Sequence, residues 1–287
     1  MQAAHPEPSF VAVEGGRLAY ERSGPPGGVA VIAAHGITSH RSAWALVRGE
    51  LAGVDFTAVD LRGRGDSRSL PGPSSMARHV ADLLAVADAL GAERVVLAGH
   101  SMGAFVAARF AAAHPDRAAA LVLVDGGLPF PPAPGGGGPD LSLVLGRLSQ
   151  RYASPEDYRA FWRAHPATGP YWSEAIERYV DADLFGEPPE LYPGSHPDRI
   201  REELTSGVEE PDPLERIACP AIALRAPRGL LDEPGGMYPP GWLQSLAAQR
   251  PWLEVREVSG VNHYTIVLEP RGARLVAQAI RDAARGR

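Results

Sequence analysis

The feature that most constrains the fold is a five-residue run, Gly99-His100-Ser101-Met102-Gly103, set between a strand pattern and a helix pattern. Residues 94–98 are mostly apolar and β-branched, as in a buried parallel strand, and residues 104–113 are alanine-rich, as in a helix. A G-x-S-x-G run in this context is typical of a nucleophile elbow, whose tight turn exposes a serine hydroxyl above a sheet. The N-terminus of the following helix directs backbone N–H groups at a developing oxyanion. Ser101 is therefore the candidate nucleophile.

The patterns around the elbow predict an α/β fold with a doubly wound, mostly parallel sheet. Apolar runs that alternate with helical patterns indicate parallel strands joined by right-handed crossovers. Glycines at 15 and 16 join the first two strands as a hairpin. Before residue 128 we expect strands at 9–13, 17–21, 29–34, 56–60, 94–98 and 121–124, and a helix at 76–90.

The composition of the chain and its pattern of predicted elements change at residue 128. Residues 129–139 are almost all proline and glycine, which is linker chemistry, and short helical patterns follow at 141–152, 155–165, 171–180 and 197–204, with no strand pattern. Strand patterns return at 221–226 and 253–258, with helices at 242–250 and 270–285. We therefore divide the chain into a core of residues 1–127 and 212–287 and a helical insert of residues 128–211.

The insert contains half of the aromatic residues of the chain. Such residues either line an apolar ligand pocket over the sheet or form the core of a small helical unit. On the first interpretation, the substrate contacts are Phe161, Trp162, His165 and Trp172 in the insert, with Gly36 and His100 from the core. His196 is a further insert residue that could touch a substrate.

The catalytic base is expected at the carboxyl end of the sheet, where ligands of doubly wound folds bind. Of nine histidines, His263 alone follows the last strand and lies after every candidate acid, as the chain order Ser, acid, His requires. The oxyanion hole should combine the N–H of Met102, which follows the nucleophile, with an N–H from the loop after an earlier strand. Gly36 permits the turn of that loop and Ile37 supplies the N–H.

Several motifs together resemble the cap-bearing α/β-hydrolase superfamily. They are H-G-I-T at 35–38, D-L-R-G-R-G-D-S at 60–67, G-H-S-M-G at 99–103, and N-H-Y at 262–264 after the last strand. The resemblance implies that residues 128–211 form a helical cap after strand six. It also implies that Ser101 is the nucleophile, His263 the base, and Ile37 and Met102 the oxyanion donors. A serine nucleophile differs from the aspartate of the dehalogenase and epoxide-hydrolase branches and disfavours their reactions.

The acid that orients the histidine has two candidates. In most members of the superfamily it follows the strand after the cap, in a G-x-x-D pattern, but here Gly229 stands where that aspartate would fall. Asp232 comes three residues later in a lengthened loop. Asp125 ends strand six, where certain lactonases and dehalogenases carry their acid; alternatively, it is a strand-end residue that caps a turn with the two glycines after it.

These residues predict a cofactor-independent serine hydrolase of small, largely apolar esters or lactones. The same triad could hydrolyse a C–C bond of β-diketone type or an amide, and the scaffold could instead serve as a ligand-binding protein without activity. The insert carboxylates Glu174, Glu177, Glu187 and Glu190 could bind a substrate amine, although solvated helix faces are the better explanation for them.

Composition narrows the range of partners. The net charge is −6 with no basic block, so we expect no nucleic-acid partner. One cysteine, Cys219, excludes an internal disulfide and a cysteine-based metal cluster, and no histidine–carboxylate motif at ligand spacing predicts a metal. The N-terminus has no apolar signal core and no window is long enough to span a membrane, so we expect a cytoplasmic protein that acts on a small molecule. The oligomeric state cannot be predicted.

Overall fold

A computed structural model describes residues 7–132, 141–206 and 213–286 of the chain. Ten strands are present: β1 Ser9–Val13, β2 Gly16–Ser23, β3 Ala30–Ala34, β4 Phe56–Val59, β5 Val95–His100, β6 Ala118–Val124, β7 Leu184–Phe185, β8 Tyr192–Pro193, β9 Ala221–Arg225 and β10 Leu253–Glu257. The helices are α1 Ala45–Gly49, α2 Met76–Ala89, α3 Met102–Ala113, α4 Ser142–Gly146, α5 Pro155–Ala164, α6 Glu174–Ala182, α7 Pro197–Ser206, α8 Trp242–Ala247, α9 Thr265–Leu268 and α10 Pro270–Ala284.

Eight strands form one sheet in the order β1-β2-β4-β3-β5-β6-β9-β10. The first two pairings are antiparallel and the other five are parallel, which confirms the predicted mostly parallel sheet. Strands β3 and β5 are buried along their whole length, as expected for strands covered on both faces. The carboxyl ends of β5, β6 and β9 are adjacent, which brings the loops after them to one edge of the sheet.

Two apolar layers cover the two faces of the sheet. Alternate residues of β3 divide between them: Ile32 belongs to the layer that contains α2, α3 and α8, and Val31 and Ala33 belong to the layer that contains α1, α9 and α10. The second layer also includes rings from α5 and α6. The helices between β6 and β9 are therefore continuous with the core on that side.

Several helices begin where the sequence supplies a cap. Ser75, Ser154 and Ser173 each accept a hydrogen bond from a backbone N–H of the first turn of α2, α5 and α6, respectively. Helix α6 begins at Glu174, later than the predicted 171, because residues Gly169–Tyr171 form a separate 3-10 turn.

One expectation about the insert is wrong. The strands β7 and β8 pair antiparallel in the segment where the sequence shows no strand pattern. Each has only two residues, which is too short for the alternation that reveals a strand, and Gly186 with φ +88° begins the connection between them. The expected boundaries at 128 and 211 remain predictions, and residues 133–140 and 207–212 lie outside the described residues.

Candidate active site

Ser101 lies in a strained turn between β5 and α3. Its backbone has φ +53° and ψ −121°, a combination that a non-glycine residue adopts only when its surroundings enforce it. The close packing at the two flanking glycines holds the backbone of Ser101 in this conformation. A Cβ on Gly99 would lie 2.3 Å from the carbonyl oxygen of Gly103, and a Cβ on Gly103 would lie 2.2 Å from the carbonyl oxygen of Ala34. Strand and helix can approach this closely only with glycine at both positions.

His263 and Asp125 form a buried pair. The His263 ring donates a hydrogen bond from Nδ1 to Oδ2 of Asp125 at 2.7 Å. The other carboxylate oxygen of Asp125 accepts from the backbone N–H of Ala226 at 3.0 Å. Both side chains are almost fully inaccessible to solvent. Because Nδ1 carries the proton toward Asp125, Nε2 is left as the basic nitrogen of the neutral ring.

Ser101 and His263 line the same cavity. In the described part of the chain, the Ser101 hydroxyl and the His263 ring are not hydrogen-bonded to each other. The structure therefore brings the Ser101 hydroxyl and the His263–Asp125 pair to one cavity.

Asp232 has different partners. Its carboxylate accepts from Arg228 at 2.7 Å, from the Asn262 side chain at 3.0 Å and from the Tyr171 hydroxyl at 3.3 Å. The hydrogen bond from Arg228, assisted by that from Asn262, lowers the pKa of Asp232 despite partial burial. Of the two candidate acids, the structure brings only Asp125 to the His263 ring.

The loop after β3 supplies the second expected oxyanion donor. The N–H groups of Ile37 and Met102 find no hydrogen-bond acceptor among the described residues, and both residues line the cavity. Gly36 packs directly on the nucleophile, because a Cβ there would lie 3.3 Å from Cβ of Ser101. Unpaired N–H groups beside a serine are suited to bind an oxyanion.

His35 holds this loop in place. Its Nε2 accepts from the backbone N–H of Leu61 at 3.0 Å, so the proton resides on Nδ1, which donates to the Gly36 carbonyl at 2.8 Å. Burial lowers the pKa of His35 well below its usual value. The ring therefore stays neutral and serves as a fixed bridge between the loops after β3 and β4.

His100 supports the histidine loop. Its Nε2 donates to the His263 carbonyl oxygen at 2.8 Å, and the two rings lie 4.7 Å apart. Burial, together with the neighbouring His263, lowers the pKa of His100 to about 3. His100 lines the cavity, and its Nδ1 is buried without a hydrogen-bond partner. Because its pKa is lowered, its ring is neutral where it forms part of the cavity lining.

The cavity above Ser101 has a volume of about 180 Å³ and a mostly apolar lining. Its walls come from the core and from the segment between β6 and β9. The lining residues that the sequence did not single out include Met76, Phe105, Phe130, Tyr179, Leu204, Leu230, Met237 and Tyr264. Of these, only Tyr264 carried a signal, as the neighbour of the predicted base.

The four insert residues predicted to touch a substrate do not line this cavity. Trp162 is buried between the rings of Tyr158, His165, Tyr179 and Tyr264. Phe161 stacks on Tyr158, and Trp172 lies under the guanidinium of Arg163. These rings pack on one another and on neighbouring side chains, and a substrate contact by Phe161, Trp162, His165 or Trp172 stays a prediction. His196 is also absent from the lining.

A larger cavity of about 340 Å³ lies beside the first and does not include Ser101. The two share a wall of Ala43, Tyr179, Val267 and Leu268. Its polar lining is already paired, since Arg41 bonds Asp60 and Asp66, and Arg178 bonds Glu174. The chemistry of a serine nucleophile therefore belongs to the smaller cavity.

Among the residues that the structure describes, no three histidine, cysteine or carboxylate side chains gather in a way that could hold a metal ion. None of the helices between residues 7 and 286, outside the two gaps, has the length and apolar character needed to cross a bilayer.

Comparison with known proteins identifies a family and several relatives. A model of the alpha/beta hydrolase family matches residues 31–279. Lipase LipV of Mycobacterium tuberculosis is 36% identical over 169 residues, which cover 58% of this chain and 60% of the lipase. Epoxide hydrolase 2 of Siraitia grosvenorii is 39% identical over 99 residues, or 33% of this chain and 31% of that protein. The chain thus spans less than two thirds of the length of these curated relatives.

The fold recurs among solved structures. An alpha/beta hydrolase from Novosphingobium aromaticivorans superposes with a TM-score of 0.75 at 21% identity, and the match covers 98% of each chain. This likeness concerns the fold alone.

Proposed function

The chain belongs to the α/β-hydrolase family, and we propose that it is a cofactor-independent serine hydrolase of small, largely apolar carboxylic esters or lactones. The observation that carries the proposal is the buried His263–Asp125 pair beside the cavity that Ser101 lines. The similarity to a lipase over 58% of the chain also supports ester chemistry.

In the proposed mechanism, the Ser101 oxygen attacks the carbonyl carbon while Nε2 of His263 takes its proton. The charge on the carbonyl oxygen is stabilised by the N–H groups of Ile37 and Met102. Collapse of the tetrahedral intermediate breaks the bond to the alcohol, which leaves with the proton from His263 and yields an acyl-enzyme. Water then adds to the acyl group, with His263 again as the base, and releases the acid and free Ser101.

Asp125 is proposed to hold His263 in the productive tautomer. Its carboxylate accepts the Nδ1 proton and stabilises the imidazolium that forms as Ser101 is deprotonated. The hydrogen bond from Ala226 fixes the orientation of the carboxylate toward the ring. The mostly apolar lining and small volume of the cavity favour short acyl groups or lactones over bulky polar substrates.

The test is hydrolysis of p-nitrophenyl acetate, p-nitrophenyl butyrate and a set of γ- and δ-lactones. We expect turnover by the wild type and a loss of about 10⁴-fold or more in Ser101→Ala, as in other triads. Ser245→Ala is the matched control, because the Ser245 hydroxyl is exposed and bonds only the Trp242 carbonyl. Equal rates for Ser101→Ala and Ser245→Ala would contradict the proposal.

The alternatives have distinct outcomes. Hydrolysis of β-diketones or amides, without ester or lactone turnover, would retain the triad and change the substrate class. Saturable binding of apolar esters with no turnover of any of these compounds would replace the proposal with a ligand-binding role.

A further inference from the structure

Arg64 contacts both residues whose N–H groups are proposed to form the oxyanion hole. It lies in the loop after β4 and is fully buried. Its Nε donates to the carbonyl oxygen of Ile37 at 2.9 Å, and its Nη2 lies 3.8 Å from the sulfur of Met102. One guanidinium therefore bridges the loop after β3 and the first turn of α3.

The counter-ion of Arg64 comes from α7, in the segment between β6 and β9. Both guanidinium Nη atoms bond the carboxylate of Glu203 in α7, in a two-pronged pair. Glu203 is buried and is also bonded by His79 at 2.7 Å and by the Ser74 hydroxyl. Burial would raise the pKa of Glu203, but the charge and hydrogen bonds of Arg64 and His79 lower it. The carboxylate is thus held in its charged form.

Helix α7 also contributes to the wall of the cavity. Leu204 lines the cavity over Ser101, and the preceding residue, Glu203, forms the ion pair with Arg64. The Arg64–Glu203 pair therefore ties the segment between β6 and β9 to the oxyanion loop, alongside the hydrogen bond that Arg147 of the same segment donates to the Thr38 carbonyl.

From these contacts we infer that Arg64 is a positioning residue for the oxyanion hole, fixed in place by Glu203 of α7. It acts on the reaction only through the two backbone donors that it holds. This inference rests on the proposed function, because it assigns Arg64 a role in the same site.

A neighbouring arginine offers a matched control. Arg62 is in the same loop, is equally buried and forms a two-pronged pair with Asp82. The remaining hydrogen bonds of its guanidinium go to the carbonyl oxygens of Pro71 and Glu14, away from Ile37 and Met102. Its backbone carbonyl accepts from Arg64, a contact that a side-chain substitution at Arg62 retains. Loss of either arginine removes a buried ion pair, but only loss of Arg64 releases the oxyanion donors.

The experiment compares Arg64→Met with Arg62→Met. In each variant we would measure kcat and KM for p-nitrophenyl butyrate and the urea midpoint. We would also measure inhibition by butylboronic acid, which forms a tetrahedral adduct with serine, and by butyrate. Arg64→Met should lower kcat about 10²- to 10³-fold with KM nearly unchanged, as for loss of an oxyanion donor, and weaken boronate but not butyrate inhibition. Arg62→Met should lower the urea midpoint by a similar amount with kcat within about threefold.

Equal losses of kcat in the two methionine variants would overturn the inference and leave the proposed function intact. If either variant fails to fold, Arg64→Lys and Arg62→Lys give the same comparison, since lysine keeps the charge but cannot reproduce the guanidinium contacts. The rate at which a fluorophosphonate labels Ser101, followed by intact mass, extends the test to any substrate class. If the wild type neither hydrolyses esters or lactones nor is labelled, the proposed function fails and the inference fails with it.

Discussion

Asp125 and Asp232 follow neighbouring strands of the sheet, yet their surroundings differ in kind. Asp125 stands at the end of β6, is buried, and divides its two oxygens between the His263 ring and one backbone N–H. Asp232 lies in the loop after β9, is partly exposed, and is shared among an arginine, an asparagine and a tyrosine. The first is placed to orient a base; the second ties loops together.

Both aspartates adopt the left-handed backbone region, with φ +45° for Asp125 and φ +63° for Asp232. Strain alone therefore does not distinguish a catalytic acid from a structural one. The packing of the turn after Asp125 against the nucleophile elbow is a clearer difference between the two aspartates. A Cβ on Gly126 would lie 2.3 Å from the carbonyl oxygen of Ser101, so the turn after Asp125 is pressed onto the nucleophile. The two candidate acids thus differ both in the partners of their carboxylates and in the packing of the turns that carry them.

The largest expected difference between the two sites is in activity. Asp125→Asn should lower kcat for p-nitrophenyl butyrate about 10⁴-fold, because an amide does not accept the Nδ1 proton in the same way and favours the wrong tautomer. Asp232→Asn should change kcat by less than about tenfold. Circular dichroism of both variants serves as the control for folding. The reverse ranking would move the acid to the loop after β9.

Asn262 provides the next test, because it joins the Asp232 site to the turn that carries His263. Its amide donates to the Ala167 carbonyl and to Asp232, and its oxygen accepts from the backbone N–H groups of Tyr264 and Thr265. Asn262→Ala should cost about 1–3 kcal/mol of unfolding free energy, since it leaves buried donors unpaired. Gln278→Ala, an exposed amide on α10, is the control. Equal urea midpoints for the two variants would contradict this account.

A smaller, pH-dependent effect is expected for the Asp232 carboxylate itself. Its pKa is lowered in the folded chain, so the carboxylate stabilises the fold above its unfolded value near 3.8 and this contribution is lost as the pH falls through the folded value. Because the side chain is partly exposed, Asp232→Asn should cost only about 1 kcal/mol at pH 7. Urea titrations should show this difference shrinking below about pH 4. A difference that grows on acidification would reverse the assignment.

The smallest effect is expected for Tyr171→Phe. The hydroxyl is the most distant of the three donors to Asp232, at 3.3 Å and 3.4 Å from its oxygens, and Arg228 remains after the change. We expect a change in unfolding free energy within about 0.5 kcal/mol and unchanged kcat. A loss comparable to that of Asp232→Asn, measured in the same titration, would show that Tyr171 is the main partner.

The sequence was most informative where local pattern determines geometry. The glycines of the elbow and the apolar strands predicted the turn at Ser101. The position of His263 after the last strand made it the candidate base, and the structure pairs its ring with Asp125. The sequence did not decide between Asp125 and Asp232 as the acid. The carboxyl ends of β6 and β9 are adjacent in the sheet, and spacing along the chain does not show which loop bends toward His263.

The walls of the cavity were largely beyond prediction for a related reason. Phe105, Leu204 and Met237 come from different helices and loops, and each has only an ordinary apolar side chain until the packing brings them together. The aromatic residues of the insert, by contrast, were conspicuous in the sequence, yet only some of them reach the cavity: Phe130 and Tyr179 line it, whereas Phe161 packs against Tyr158 and Trp162. Abundance of aromatic rings in one segment did not indicate which of them face the site.

The central claim, that Ser101, His263 and Asp125 act together through an acyl-enzyme, is tested most directly by trapping that intermediate. The wild type, Asp125→Asn and Asp232→Asn would be mixed with p-nitrophenyl butyrate and quenched with acid within milliseconds. The mass of each intact protein would then be measured by mass spectrometry. The account predicts rapid appearance of one butyryl group in the wild type and Asp232→Asn, absent when Ser101 is alanine, and much slower appearance in Asp125→Asn. Rapid acylation of Asp125→Asn with loss in Asp232→Asn would contradict it.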